Sequence, residues 1–164
     1  MNKLKNATTK GFTLIELLVV IGIIAILAAI VLVAVNPGRQ FASARDTQRR
    51  SDLLTLTNAI YEFAAEHNGN LPGTDDTLTV HNFPTTPTCV GTAAPCFDLG
   101  AAGAVDGADD GVDDPIIPTY VAGMPEDPST GTPEDTGYVV SVGTDGRVVA
   151  TAVGELTNPI TIQR

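Results

Sequence analysis

Positively charged side chains are scarce in this sequence, and no lysine follows residue 10. Lys3, Lys5 and Lys10 lie in the first ten residues, and the 164-residue chain has a formal net charge of −10. A surface that binds nucleic acid needs clustered lysine or arginine to neutralise phosphate groups. Direct binding of nucleic acid is therefore not expected.

The side chains that most often perform catalysis are also few. The chain has two histidines, His67 and His81, and two cysteines, Cys89 and Cys96, and no recognisable nucleophile motif flanks any of them. An active site needs several polar groups brought together in one place. We therefore predict no catalytic residues and no enzyme activity; a membrane-tethered enzyme is the remote alternative.

A long apolar run follows a single carboxylate near the beginning of the chain. Residues 17–35 carry no charge, and as a helix they would be about 28 Å long, roughly the hydrocarbon thickness of a bilayer. An acidic side chain at the bilayer centre costs roughly 2.5 to 3.5 kcal/mol on insertion scales. Glu16 therefore needs a partner, and a helix beginning at Phe12 would place it near the positive end of the helix dipole.

The segment from Lys10 to Glu16, Lys-Gly-Phe-Thr-Leu-Ile-Glu, resembles the cleavage and methylation site of type IV pilins and pseudopilins. The resemblance implies that a prepilin peptidase cuts between Gly11 and Phe12 and methylates the new amino group of Phe12. It also implies that Glu16 pairs with that amine on a neighbouring subunit. An ordinary secretory signal peptide has a shorter apolar core of about 7 to 15 residues, and an ordinary membrane anchor does not require Glu16.

The predicted fold class is α+β and pilin-like. A long N-terminal helix, membrane-spanning in its first half and amphipathic in its second, packs on a small antiparallel β-sheet. The predicted parts are a leader peptide at 1–11, a transmembrane and filament-core helix at 12–35, an amphipathic helix at 36–68, and a globular head with a variable loop and a sheet at 69–164. Gly22 and Pro37 are the predicted helix breaks, and a plain boundary between a membrane helix and a soluble helix is the alternative.

The second half of the helix is predicted from its spacing. Large side chains recur at three- and four-residue steps and indicate a face that packs on a sheet: Leu53, Leu56, Ile60, Phe63 and His67. His67 precedes Asn68-Gly69-Asn70, which is a helix stop signal. We expect a capping or surface role for His67.

Strands are predicted mainly near the C-terminus. Residues 138–142 and 147–153 flank Asp145-Gly146, a strong hairpin signal, and 159–163 is a predicted edge strand with Pro159 at its start. The stretch 71–118 is rich in Pro, Gly, Thr and Asp and is predicted as loop, with 78–83 as a short strand.

Charge is unevenly distributed along the chain. Arg39, Arg45, Arg49 and Arg50 lie within twelve residues, whereas seventeen of the nineteen acidic residues follow residue 50. One interpretation is a solvated helix face. The other is a basic stem that lies near the acidic head of a neighbouring subunit and steers assembly.

Two features of the head suggest further sites. Cys89 and Cys96 are predicted to form a disulfide, since this part of the chain should lie outside the cytoplasm, and the bond would contribute about 2 kcal/mol. A cluster of five aspartates is a weak calcium candidate: Asp106, Asp109, Asp110, Asp113 and Asp114. A solvated acidic loop is the favoured alternative, and no other cofactor is predicted.

The predicted function is that of a prepilin, a structural subunit of a type IV pilus-like filament assembled through its hydrophobic N-terminal helix. The alternative is a pseudopilin of a type II secretion system, because the segment 124–128, followed by Tyr138 and by Asp145-Gly146, loosely resembles the corresponding part of major pseudopilins. The resemblance implies as partners copies of the chain, other pilins, prepilin peptidase, and an assembly platform with its ATPase. The precursor would cross the cytoplasmic membrane once and end in an extracellular or periplasmic filament.

A bulky residue at position 11 is expected to block processing, because the resembled cleavage site has glycine before the cut. Mass spectrometry of Gly11→Trp should find the leader still attached, whereas the unaltered chain should begin at Phe12. An unaltered chain that begins at Met1, or beyond Ala34, would contradict cleavage at this site.

Overall fold

A computed structural model describes residues 11–74, 82–103 and 114–164. The chain divides into two compact units, one ending at Gln40 and the other comprising Phe41–Arg164. Most of the predicted leader and most of the predicted strand at 78–83 lie outside the described residues. Of the latter, the two described positions, Asn82 and Phe83, do not form a strand.

The first unit contains the helix α1, Leu14–Val35, whose 22 residues are apolar on all sides except at Glu16. None of its side chains is buried within the chain. By length and composition this helix could cross a membrane. A helix that is apolar all round needs an apolar environment on every side, which a bilayer or a bundle of similar helices provides.

The helix α2, Pro37–Glu66, follows α1 after the single residue Asn36. From Ala42 onward one face of α2 is buried at helical spacing, and its apolar members include Leu53, Leu56, Ile60 and Phe63. The predicted amphipathic face is confirmed for these residues. The helix ends where predicted, because Asn68 and Gly69 take the left-handed conformation at φ 56° and 92°, which stops an α-helix.

The strands β1 (Thr88–Cys89), β2 (Tyr138–Val142), β3 (Val148–Ala152) and β4 (Ile160–Gln163) form one antiparallel sheet in chain order. Val140 pairs with Ala150, and Ala150 pairs with Ile162. The turn between β2 and β3 contains Gly146 at φ 76°, a conformation that glycine adopts without strain. The predicted hairpin and the predicted last strand are therefore confirmed.

The head core lies between α2 and one face of this sheet. Alternate strand residues point inward, as the pleat requires, so Val140, Val148 and Ala150 are fully buried with the apolar face of α2. The hydroxyl of Tyr138 donates a 2.6 Å hydrogen bond to Asp52 of α2, which joins sheet and helix inside the core. The α+β pilin-like fold class is confirmed.

The stretch 71–118, predicted as loop apart from a short strand at 78–83, also contributes to the core, which corrects that prediction. It contains β1 and the short helix α3, Ile116–Thr119. Several of its side chains are buried in the same cluster: Phe83, Val90, Phe97, Leu99 and Ile116. Local composition could not indicate this, because β1 exists only through pairing with β2 about fifty residues later.

Truncation of a core residue of α2 should destabilise the head far more than truncation on its outer face. Ile60 is fully buried and Leu54 is 39% exposed, so Ile60→Ala should cost about 2 to 5 kcal/mol and Leu54→Ala less than about 1 kcal/mol. Denaturant unfolding of the full chain in detergent would measure both. Equal losses would contradict the described packing of α2.

Candidate processing and assembly site

Glu16 forms a capping box with Thr13 at the beginning of α1. The backbone N–H and the hydroxyl of Thr13 both donate to Glu16 Oε2 at 3.0 Å, and the Glu16 N–H donates to Thr13 Oγ1 at 3.2 Å. This arrangement satisfies helix N-terminal donors that would otherwise lack partners. The Thr-x-x-Glu spacing of a capping box is present in the sequence, but the predictions for Glu16 were the helix dipole and an amine of a neighbouring subunit, not Thr13.

The predicted cleavage junction lies just before this cap. Gly11 and Phe12 are exposed and precede the helix, which begins at Leu14. Apart from its chain neighbours, no described residue has an atom within 4 Å of the position that a Cβ of Gly11 would occupy. A peptide bond outside regular structure is easier to cleave than one inside a helix. Within the described residues, the predicted junction is therefore exposed and outside regular structure.

The two predicted helix breaks behave differently. The helix α1 continues through Gly22. The interruption is at Asn36, which adopts a left-handed conformation at φ 43°, and Pro37 begins α2. The Asn36 carbonyl accepts from the N–H groups of Arg39 and Gln40 at 3.1 and 3.4 Å. Pro37 is thus at a first helical position, where its missing N–H costs little, and Asn36 provides the break itself.

Arg49 is the centre of a buried ion cluster that the sequence analysis did not identify. Its Nε lies 2.5 Å from Asp127 Oδ2, and its Nη1 lies 2.9 Å from Asp46 Oδ1 and 3.3 Å from Glu155 Oε1. The Arg49 side chain is 3% exposed. A guanidinium is suited to this position because its five donors can serve several carboxylates at once.

Arg45 also has its acidic partner within the same chain. It forms a two-bond ion pair with Glu155, both bonds at 2.5 Å. Arg45 and Arg49 thus both have acidic partners in their own chain, and the interpretation that the basic stem lies near the head of a neighbouring subunit stays a prediction. The sequence shows a cluster of arginines and many acidic residues, but it does not show which acidic residue the fold places next to each arginine.

Asp46 connects α2 to the chain between β3 and β4. Its carboxylate accepts hydrogen bonds from the backbone N–H groups of Glu155, Leu156 and Thr157 at 2.8 to 3.1 Å. Burial alone would raise the pKa of Asp46, but these donors and Arg49 outweigh burial and lower the pKa well below its usual range. The group therefore stays ionised inside the head, as paired buried carboxylates do.

Asp127 is held ionised by the same balance. Burial favours the neutral form, but hydrogen bonds from Arg49 and from the backbone N–H groups of Ser129 and Thr130 lower the pKa of Asp127 to about 2. The pKa of Glu155 is also lowered to about 2, mainly because Arg45 donates hydrogen bonds to its carboxylate. All three carboxylates are thus anionic at neutral pH, with two guanidinium groups among them.

His67 is buried, which corrects the surface alternative predicted for it, whereas its contact with a carbonyl of the last helical turn is consistent with the capping alternative. Its ring stacks on Phe63 with centroids 3.9 Å apart, and Nδ1 lies 2.8 Å from the Phe63 carbonyl oxygen. Nε2 has no hydrogen-bond partner in the described part of the chain. The cause is the four-residue spacing from Phe63, which keeps His67 on the buried face of the helix end.

The structure contains the disulfide between Cys89 and Cys96. In the calcium candidate, Asp106, Asp109, Asp110 and Asp113 lie outside the described residues, and so does His81. Of that cluster only Asp114 is described, and its N–H donates to the Gly103 carbonyl at 3.1 Å. Within 11–74, 82–103 and 114–164, no group of three His, Cys, Asp or Glu side chains could hold a metal ion.

The fold and the capped carboxylate together define a class, an α+β protein whose N-terminal apolar helix follows an exposed Gly-Phe junction. Residues 6–32 match the family model described as the prokaryotic N-terminal methylation motif, and the chain thus carries the signature of type IV pilins. The match confirms the resemblance and supports a precursor similar to a type IV pilin or pseudopilin. Neither the curated proteins nor the solved structures include a significant match.

Replacement of Arg49 should destabilise the head strongly, because three carboxylates would lose their shared cation. For Arg49→Met we expect a loss of about 3 to 5 kcal/mol, as for other broken buried ion pairs. Arg50→Met, one residue further and exposed, is the matched control and should cost less than about 1 kcal/mol. Denaturant unfolding of the full chain in detergent measures both.

The same cluster gives a pH test. The pKa of Asp127 falls from 3.8 to about 2 on folding, so its contribution is complete above about pH 5 and is lost as the pH falls towards 2. Thermal stability should therefore decrease over this interval, with a smaller slope in Arg49→Met. Equal slopes in both proteins would show that Arg49 does not set the ionisation of Asp127.

Proposed function

We propose that this chain is the precursor of a structural filament subunit, processed between Gly11 and Phe12 and assembled through α1. The observation that carries the proposal is the methylation motif at residues 6–32 together with Glu16 at the beginning of an otherwise uncharged helix. The proposed parts are a leader at 1–11, a membrane and filament-core segment at 12–35, a connecting amphipathic helix at 36–68, and a head at 69–164.

The proposed driving force for assembly is the removal of α1 from lipid into a bundle of like helices. No side chain of α1 is buried within its own chain, so its apolar surface is available to neighbouring copies. In lipid the gain comes from side-chain packing rather than from water release. Contacts between unlike surfaces of identical subunits produce a filament when the rotation between successive copies does not close into a ring.

Glu16 is the proposed polar contact of this bundle. Cleavage after Gly11 would create an amino group on Phe12, and that amine on a neighbouring subunit would pair with the Glu16 carboxylate. In the single chain the carboxylate is bound by Thr13. Pairing would therefore add an ammonium group to a carboxylate that already has its own donors, which is favourable in an apolar environment.

A pseudopilin of a type II secretion system is the second candidate. It is favoured by the loose resemblance of residues 124–128 and Tyr138 to the corresponding part of major pseudopilins. In this structure Asp127 binds Arg49, and Tyr138 binds Asp52. The two candidates share processing and assembly and differ in the machine. A short periplasmic filament would favour the second candidate, and long surface filaments would favour the first.

Glu16→Ala should allow cleavage but reduce assembly. Glu16→Gln separates the two roles of the side chain, because glutamine can still complete the capping box with Thr13 but cannot pair as an anion. We expect both variants to begin at Phe12 by mass spectrometry and to yield few filaments in sheared surface fractions. Glu62→Gln, an exposed acid of α2, is the control and should assemble normally.

Normal assembly of Glu16→Gln would show that the cap, and not the charge, is what assembly requires. Normal assembly of both Glu16 variants would contradict the proposed role of this residue altogether.

A further inference from the structure

Arg50 differs from its two neighbouring arginines on α2. Arg45 and Arg49 bind acids of the same chain, whereas the exposed side chain of Arg50 makes no hydrogen bond or ion pair with any described residue. Cations are scarce in the head, and an unpaired one is available to another molecule. Of Arg45, Arg49 and Arg50, Arg50 is therefore the one whose side chain is available to a neighbouring subunit.

Leu54 lies one helical turn after Arg50 and on the same face of α2. It is 39% exposed, although the other leucines of this part of α2, Leu53 and Leu56, are fully buried. An aliphatic side chain and a guanidinium therefore project together from the outer face of α2. We call Arg50 and Leu54 the outer pair.

A mainly apolar pocket of about 360 Å³ lies elsewhere on the head, and no residue of α2 lines it. Its apolar lining includes Leu99, Ile117 and Met124, and its acidic members are Asp98 and Glu126. Asp98 already accepts a 3.1 Å hydrogen bond from the Ala101 N–H. Glu126 is exposed and has no hydrogen bond or ion pair within the described segments.

We infer that the outer pair of one copy docks into this pocket of a second copy, with Leu54 on the apolar lining and Arg50 paired with Glu126. The inference rests on the proposed filament function. The two surfaces are complementary in charge and polarity. One has a cation beside an exposed leucine, the other has a carboxylate beside apolar side chains, and neither charge is paired with a described residue. An interface of this composition has an apolar centre and a charged rim, as stable protein interfaces commonly have.

Two further observations favour a second copy of this chain as the occupant. The chain has a net charge of −10, so copies repel each other unless cations are placed against acids at the contact. The outer pair and the pocket also lie on different elements of one head. A contact between unlike surfaces leaves the pocket of one copy and the outer pair of the other copy free, so the contact can repeat along a filament.

The test is a charge exchange in the full chain, scored by the filament yield of sheared fractions from cells that carry the assembly machinery. Arg50→Glu and Glu126→Arg should each lower the yield about tenfold, because like charges then meet at the contact. The double variant Arg50→Glu with Glu126→Arg should recover most of the yield. Arg50→Glu with Glu62→Arg has the same net charge without the exchange, and its yield should stay low.

Folding and apolar contact are tested separately. All exchanged side chains are exposed, so thermal unfolding of each variant should match the unaltered chain. Leu54→Asn keeps every charge and should also lower the yield, because an amide is poorly accommodated by the apolar lining. The effect of Arg50→Glu should depend on ionic strength, since a pair at the rim is screened by salt.

Recovery in the first double variant but not in the second supports the inference. Equal recovery in both would overturn it, since net charge alone would then explain the yield. If the Arg50→Glu variant gives a normal filament yield while the Glu16→Gln variant, expressed in the same way, gives few filaments, the inference is overturned and the proposed function stands. Absence of filaments from the unaltered chain would overturn both.

Discussion

The packing of the head depends on the buried guanidinium of Arg49. Through it α2 is joined to Asp127, 78 residues away, and to Glu155, 106 residues away. Asp46 extends the same cluster to the backbone between β3 and β4. An arrangement of three carboxylates in so small a space is stable only around cations. The ion cluster thus fixes which face of α2 meets the sheet, while apolar burial supplies the driving force along the rest of the helix.

The predictable parts of this structure are those in which local sequence alone determines the outcome. The charge-free run predicts α1, the three- and four-residue spacing predicts the buried face of α2, and Asp145-Gly146 predicts the hairpin. The unpredicted parts depend on contacts distant in sequence. The strand β1 forms only against β2, and the partners of Arg45 and Arg49 are acids from remote loops. In the candidate site, Glu16 could be recognised from its apolar surroundings, and the Thr-x-x-Glu spacing also carries the signal for its bond to Thr13.

The position of Glu16 has an energetic consequence for the proposed assembly. A carboxylate without partners in an apolar medium would make the single subunit very unstable in the membrane. Thr13 removes part of that cost by donating two hydrogen bonds. The free energy gained when an amine arrives is correspondingly smaller than it would be for a bare carboxylate. In the proposed assembly, a subunit of this kind is stable as a single chain in the membrane and can still associate. Its association is more easily reversed than that of a subunit with a bare carboxylate.

The uniformly apolar surface of α1 has a different consequence. A helix with one apolar stripe has a defined orientation about its own axis, because only one face can be buried. In α1 every face is equivalent in polarity except at Glu16. Packing of such helices against each other stabilises the bundle. It does little to fix the rotation of each helix about its axis or the axial offset between neighbouring helices. In the proposed filament, the helical rise and twist would therefore be determined by directional contacts outside the apolar part of α1. These are the contacts of the Glu16 carboxylate and the contacts between charged heads.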